Sequence, residues 1–292
     1  MSWLGEQILL ALSRKPGTPD YSGRTNRYTL SNALDFARQT IPDFLELIRG
    51  KTILDYGCGP GWQAVAMYQQ GARQVVGIDI DDRWLSHGRT LAQQESIQQG
   101  VHFCRQVPEE FLGKFDLVIS LSSFEHFRDP GSELTAMRAA VAPGGRVVIS
   151  FAEPWLSHNG SHMGFFTRLP WVNVFFSENT IMRVRSRFRD DGATRLEDVT
   201  GGLNKMTLAK FARLIEQSGM ALANLKFYPT RGLPVVARIP LLREFLVSSA
   251  ACTLRKHKSG ASAGQHLDSS IESVPAQVML PTSSCFQGRE AG

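Results

Sequence analysis

From Ile53 to Met67 the chain reads I-L-D-Y-G-C-G-P-G-W-Q-A-V-A-M. A short apolar run ends in Asp55, glycines follow at Gly57, Gly59 and Gly61, and a helical pattern starts at once. Strand, glycine-rich turn and helix in that order constrain the fold more than any other feature of the sequence. Glycine lacks the Cβ that would hold a ligand off the backbone. The helix start adds unpaired N–H groups and the positive end of a dipole. A second apolar run, Val75 to Ile78, then leads into Asp79. An acid at that distance from the turn suits the paired hydroxyls of a ribose.

The alternation continues. Val101 to Cys104 reads as a third strand, Leu117 to Ser120 as a fourth, and Arg146 to Phe151 as a fifth. The fourth is apolar throughout, as a strand buried on both faces should be. Between them, Leu134, Met137, Arg138 and Val141 make a helix face that Pro143-Gly144-Gly145 should end. Strands alternating with helices predict an α/β fold with a parallel sheet covered on both sides. Thr207 is placed to cap a helix through Leu208, Phe211, Leu214 and Ile215, with a sixth strand at Leu222 to Phe227. A seventh is hard to place, and Val235 to Arg238 is the best segment.

Residues 152–206 break the rhythm, and a connection that long points to a cover or a small subdomain. The expected organisation is a helical extension over 1–49, in which Ser31-Asn32 would cap a helix that Pro42 interrupts, and a main domain over 50–240 carrying the 152–206 insertion. A C-terminal helix over 241–255 should follow, then a tail over 256–292 whose Ser, Gly, Ala and Gln content suits disorder.

A dinucleotide would want glycines at relative positions one, three and six. The sixth position here is Trp62, and the glycines fall at one, three and five. That D-x-G-x-G-x-G pattern, with F-D-L-V-I-S (Phe115 to Ser120) and V-A-P-G-G-R-V-V-I-S-F (Val141 to Phe151), resembles the class I S-adenosylmethionine-dependent methyltransferases over about residues 50–151. The resemblance implies a Rossmann-like, doubly wound seven-stranded sheet of order 3-2-1-4-5-7-6, with S-adenosyl-L-methionine as cofactor. It also implies a cofactor set of Asp55, Gly57, Cys58, Gly59, Gly61, Asp79, Ile80, Gln106 and Ser120. In that family the glycine turn lies under the methionine part, Asp55 orients the turn and meets the amino group, and Asp79 binds the ribose. Gln106 stands where relatives often carry an acid near the adenine. Cys58 suits the turn by its small size.

Ligands of open α/β sheets sit beyond the carboxyl ends of the strands. The acceptor should therefore meet Ser122, Ser123 and His126 after strand four, and His158, His162 and Trp171 in the insertion. His126 is the candidate base, because a neutral imidazole takes a proton near pH 7; a scaffold role is the competing reading. His158 and His162 are four apart, but Pro154, Asn159 and Gly160 oppose a helix there and no third ligand is evident, so no metal is expected. Trp155, Trp171, Phe165, Phe166, Phe175 and Phe176 would line an apolar pocket or form the insertion's own core. Arg183, Arg185, Arg187 and Arg189 would make one basic face on a strand, while the same stretch also fits a helix.

The expected function is methyl transfer to a small molecule at oxygen, with a sugar or glycan precursor as one option, since the insertion looks similar to bacterial methyltransferases loosely associated with such pathways. A nucleic-acid or protein methyltransferase and a non-catalytic cofactor-binding protein are the alternatives. Where amino-methylating enzymes of nucleic acids carry an N-P-P-Y-like element, this chain has S-L-S-S-F, so no nucleic-acid partner is expected. The net charge of +5 permits anionic substrates or a membrane surface. No stretch approaches the ~20 apolar residues of a membrane span, and peripheral membrane contact through residues 232–254 stays open. Four dispersed cysteines without C-x-x-C spacing, and an N-terminus that reads poorly as a secretory signal, point to the cytoplasm. The oligomeric state is not fixed by the sequence.

Overall fold

The structure, a computed structural model, describes residues 2–18, 29–199, 201–230 and 239–257. Three helices lead in: α1 (Ser2–Ala11), α2 (Asp35–Thr40) and α3 (Phe44–Ile48). The alternating part runs β1 (Thr52–Tyr56), α4 (Trp62–Gln69), β2 (Gln74–Ile78), α5 (Asp82–Gln94), β3 (Val101–Cys104), β4 (Phe115–Leu121), α6 (Pro130–Ala140) and β5 (Val141–Ala152). The insertion carries α7 (Val172–Phe175) and α8 (Glu178–Arg185), and the chain closes with α9 (Leu208–Gln217), β6 (Ala221–Pro229), α10 (Pro240–Leu246) and β7 (Val247–Arg255).

One seven-stranded sheet results, in the order β3-β2-β1-β4-β5-β7-β6. The pairs among β1 to β5 are parallel, and β7 is antiparallel to both β5 and β6. The order implied by the resemblance is the order observed. Two cores lie on its faces: Phe115, Met137, Phe151 and Phe211 pack under α6 and α9, while Ile53, Met67, Leu85 and Phe103 pack under α2 to α5. A third core joins α1 to the insertion through Leu9, Phe166, Ile181 and Leu196.

Several expectations need correction. The seventh strand is Val247–Arg255, whereas the segment expected to form it, Val235 to Arg238, lies outside the described residues. The helix expected over 241–255 is only Pro240–Leu246. The rest is a central strand whose apolar side chains the sheet needs on both faces. That burial also removes the proposed membrane contact from residues 247–254, where Val247, Ala250 and Leu254 are fully buried. The helix before strand five stops at Ala140, and Pro143-Gly144-Gly145 lies within the long β5. Leu34, not Ser31-Asn32, precedes the first turn of α2. The tail over 258–292 lies outside the described residues. Among the described residues no helix is long and apolar enough to cross a membrane.

One packing feature fixes the glycine turn on the sheet. A Cβ built on Gly61, Gly77 or Gly88 would come within 2.7–2.8 Å of the Phe103 ring. The ring of β3 therefore lies in a hollow that three glycines from the turn, β2 and α5 leave open. Gly61 also has φ +85, where side chains are strained. We expect Gly61→Ala to destabilise the fold by about 2–4 kcal/mol, from overpacking and backbone strain together. A fall in the urea midpoint at constant slope measures it, and an unchanged midpoint counts against this packing.

Candidate active site

The glycine turn leaves β1 at the carboxyl edge of the sheet, and its three glycines serve different ends. Gly57 has φ +77, and a Cβ there would meet Ser123 Cβ at 2.8 Å. Gly61 is closed in by Phe103. Gly59 has φ +50 and nothing within 4 Å of an added Cβ, so its surroundings are open. Asp79 spans to that residue: its Oδ2 accepts the Gly59 N–H at 2.9 Å and its Oδ1 accepts the Asp81 N–H at 2.9 Å. Each carboxylate oxygen retains a lone pair for a further donor. Beside it Ile80 is 84% exposed, an apolar surface that a flat base could cover.

Asp55 is the anomaly of the site. It is 1% exposed, and neither carboxylate oxygen has a hydrogen-bond partner among the described residues. Burial, with Asp79 adding to it, pushes its carboxyl up to about 7. A buried polar group without a partner is costly, and a cationic ligand beside Gly59 is the partner such a carboxylate wants. Cys58, 4% exposed, has its thiol pushed up by burial first and by Asp55 and Asp79 next. That makes it a poor nucleophile. Its Sγ would lie 2.9 Å from a Cβ on Gly77, so small size is what the position requires.

The turn is braced from both sides by residues whose role the sequence did not disclose. The Ser123 hydroxyl lies 2.9 Å from the Gly57 carbonyl and 3.1 Å from that of Leu121. Ser123, expected on the acceptor side, holds the turn through these bonds. His87 Nδ1 meets the Pro60 carbonyl at 2.7 Å, and the Tyr56 hydroxyl bonds to Glu133 of α6. Of the remaining expected cofactor residues, Gln106 is exposed after β3. Ser120 is fully buried at the end of β4, its hydroxyl without a partner among the described residues.

On the acceptor side, a short turn after β4 carries Phe124 to His126. His126 Nδ1 lies 2.7 Å from the Gly202 carbonyl. A carbonyl only accepts, so Nδ1 must carry the proton, and Nε2 of the neutral ring keeps its lone pair. Asn204 clamps the same turn, donating from Nδ2 to the carbonyls of Phe124 at 2.9 Å and Phe127 at 2.8 Å. Its backbone N–H donates to the Glu125 carbonyl at 3.0 Å. The Gly-Gly-Leu-Asn return of the insertion thus shapes the acceptor-side turn.

His162 reaches the same place: its ring centroid is 5.5 Å from that of His126, and its Nε2 is 3.6 Å from Glu153. Ser122, half-buried, donates its N–H to the Ser150 carbonyl at 2.8 Å. His158 and Trp171 are joined through their backbones, the Trp171 main-chain N–H donating to the His158 carbonyl at 2.8 Å. The segment over 158–162 is a series of turns, as its Asn and Gly require. Among the described residues no three metal-ligating side chains gather.

Two further expectations resolve. The arginine run lies on and after α8, not on a strand, and its members are spent separately. Arg185 is 5% exposed and forked onto Asp191 at 2.7 and 2.5 Å, holding that carboxyl down to about 2. Arg183 pairs with Glu6 at 2.9 Å, and Arg189 lies over the Phe165 ring at 4.5 Å. The aromatics of the insertion mostly serve its own core: Phe166 is fully buried and stacks on Phe188, and Phe165 and Phe176 pack around them. A cleft of about 420 Å³ by Lys51, Asp116 and Arg146 opens where the strands begin, at the edge away from the glycine turn.

Comparison with known proteins fits this geometry. The methyltransferase domain family matches residues 28–224. The ubiquinone biosynthesis O-methyltransferase of Acinetobacter baumannii (strain AYE) is 41% identical over 108 residues, 35% of this chain and 44% of that protein. Its namesake in Pseudomonas paraeruginosa is 38% identical over 109 residues, 35% of this chain and 45% of that protein. The matched stretch is thus less than half the length of these curated relatives. Among solved structures, an S-adenosylmethionine-dependent methyltransferase from Mesorhizobium loti aligns with TM-score 0.50 and 18% identity, covering 78% of this chain and all of that one. The cyclase SpnF aligns with TM-score 0.51 and 14% identity, covering 87% of this chain and 92% of its own. At such identities the likeness establishes the fold.

Proposed function

The chain belongs to the methyltransferase domain family, and on that premise we propose that it transfers a methyl group from S-adenosylmethionine to an oxygen of a small-molecule acceptor. The observation that carries this reading is the buried Asp55 carboxylate, without a partner among the described residues, beside a turn that is open at Gly59. Asp55 would meet the amino group of the cofactor, the turn would lie under its methionine part, and Asp79 would accept the ribose hydroxyls. Ile80 would cover one face of the base, with Gln106 at its edge. When bound, the sulfonium supplies a methyl carbon whose bond to sulfur breaks with the electron pair left on sulfur.

The chain's own contribution is placement and one proton. The donor is already activated, so alignment of the acceptor in dry surroundings does most of the work. His126 Nε2, its lone pair fixed by the Nδ1 bond to Gly202, takes the proton of the acceptor hydroxyl as its oxygen forms the new bond to carbon. The O-methyltransferase names among the relatives support oxygen as the methylated atom.

Isothermal titration with S-adenosylhomocysteine tests the reading, and one saturable site is expected. Its pH dependence follows from Asp55. A bound ammonium favours the ionised carboxylate, so below about 7 binding must first release a proton. Affinity should therefore be on the order of tenfold lower at pH 6 than at pH 8. Asp55→Asn should weaken binding and flatten this profile. The sign for stability is opposite. The folded carboxyl holds its proton more tightly than the unfolded one, so Asp55's contribution falls as pH rises from about 4 to 7. An unchanged profile in Asp55→Asn would remove Asp55 from the site.

A further inference from the structure

Backbone strain in this protein is concentrated in one place. Among the described residues, seven that are not glycine have positive φ: Asp43, Ser96, Ser122, Glu153, His162, Trp171 and Lys205. Five of these, Ser122 onward, lie after β4, at the end of β5 and in the insertion, where the acceptor is expected. Non-glycine residues hold that conformation only where the surroundings impose it, and they cluster at functional sites.

Glu153, His162 and Lys205 also share one small cavity with Glu125 and Trp155. Glu125 is 5% exposed, and its Oε1 accepts the Ala152 N–H at 3.4 Å while its Oε2 has no hydrogen-bond partner among the described residues. A buried carboxylate oxygen without a partner, on a residue that lines a cavity, points to a ligand group or a water. The cavity volume is about 10 Å³, room for one oxygen-sized group. Lys205 Nζ lies 5.8 Å from the Trp155 ring centroid and pairs with Glu178 at 2.6 Å. Phe165, Phe166, Phe176 and Phe188 of the insertion pack into its own core, and Phe175 is exposed.

We infer that Glu125, Glu153, His162 and Lys205, gathered beside His126, recognise the acceptor, and that the acceptor is a ring bearing several hydroxyls rather than an apolar one. This rests on the methyl-transfer reading and names its substrate class. Hydroxyls both donate and accept, which suits a lining of two carboxyls, an imidazole and an ammonium. One hydroxyl of the ring fills the small cavity and pairs with Glu125 Oε2, and a neighbouring one meets His126 Nε2 and is methylated. Burial holds the Glu125 carboxyl up to about 7, with His126 opposing and Glu153 adding to the shift, so near neutrality Glu125 can either donate to that hydroxyl or accept from it. An apolar acceptor would leave Glu125 Oε2 buried without compensation, whereas the Lys205 ammonium is already balanced by Glu178 at 2.6 Å.

The test uses the full chain and radiolabelled S-adenosylmethionine with two acceptor sets, methyl glycopyranosides and alkylcatechols. Transfer of label to the glycopyranosides is expected. KM for them should rise by about tenfold or more in Glu125→Gln and in His162→Ala, with S-adenosylhomocysteine affinity kept within about twofold. That retained affinity also shows that both variants are folded. Label entering only the catechols, or neither set, overturns the inference, as does an unchanged KM in both variants. Failure of the wild type to bind S-adenosylhomocysteine would instead defeat the methyl-transfer reading beneath it.

Discussion

Turnover in His126→Ala should fall by about 10²- to 10⁴-fold, the usual contribution of a positioned general base, while affinity for S-adenosylhomocysteine stays close to that of the wild type. The expectation follows from the tautomer. The Gly202 carbonyl, 2.7 Å from Nδ1, can only accept, so the free lone pair of the neutral ring sits on Nε2. His126 also touches His162 and anchors the return of the insertion, so a purely structural role would show itself as lost stability. His126→Gln separates the two. A glutamine can keep a donor towards Gly202 but is no base near pH 7. Rescue of stability without rescue of rate assigns the proton to His126, whereas full activity in either variant removes the residue from the chemistry.

Asp79→Ala should weaken S-adenosylhomocysteine binding by about 1.5–3 kcal/mol, the range for a hydrogen bond to a charged group, or roughly 10- to 150-fold. The carboxylate accepts from Gly59 and from Asp81 at 2.9 Å each. Part of the loss will therefore come from a loosened turn rather than from missing ribose contacts. Asp79→Asn keeps one carbonyl acceptor and should lie between the two. Parallel urea unfolding reports the bracing contribution, because only that part lowers the midpoint. Unchanged affinity in a folded Asp79→Ala protein would count directly against the ribose assignment.

The cofactor half of the site was legible because its determinants are local. Asp55, the three glycines and Asp79 lie within 25 positions of one another, and a strand, a turn needing positive φ and a helix start are short-range demands. Even there, the reason for Gly61 was hidden. It is Phe103, some 40 residues on and two strands over, that forbids a side chain at Gly61, Gly77 and Gly88. The bracing role of Ser123 was hidden for the same kind of reason, since its bond to the Gly57 carbonyl spans 66 positions. Nothing in S-L-S-S-F distinguishes a bracing serine from one facing an acceptor.

The placement of the last strand failed on different grounds. Val247 to Leu254 contains two serines, two alanines, a cysteine and a threonine, a short run whose period separates a buried strand from a buried helix poorly. What makes it a strand is the pair of free edges offered by β5 and β6, which it joins antiparallel on both sides. Propensity yields to such tertiary pairing.

The sequence by itself determined the parallel core, the glycine turn and the acid that spans it, because each is set by backbone geometry within a few residues. Only the tertiary structure decided the acceptor side. There His126, Gly202, Asn204 and Glu125 come from segments about 80 positions apart, and contacts of that range depend on how the insertion packs back over the sheet, which no local pattern encodes.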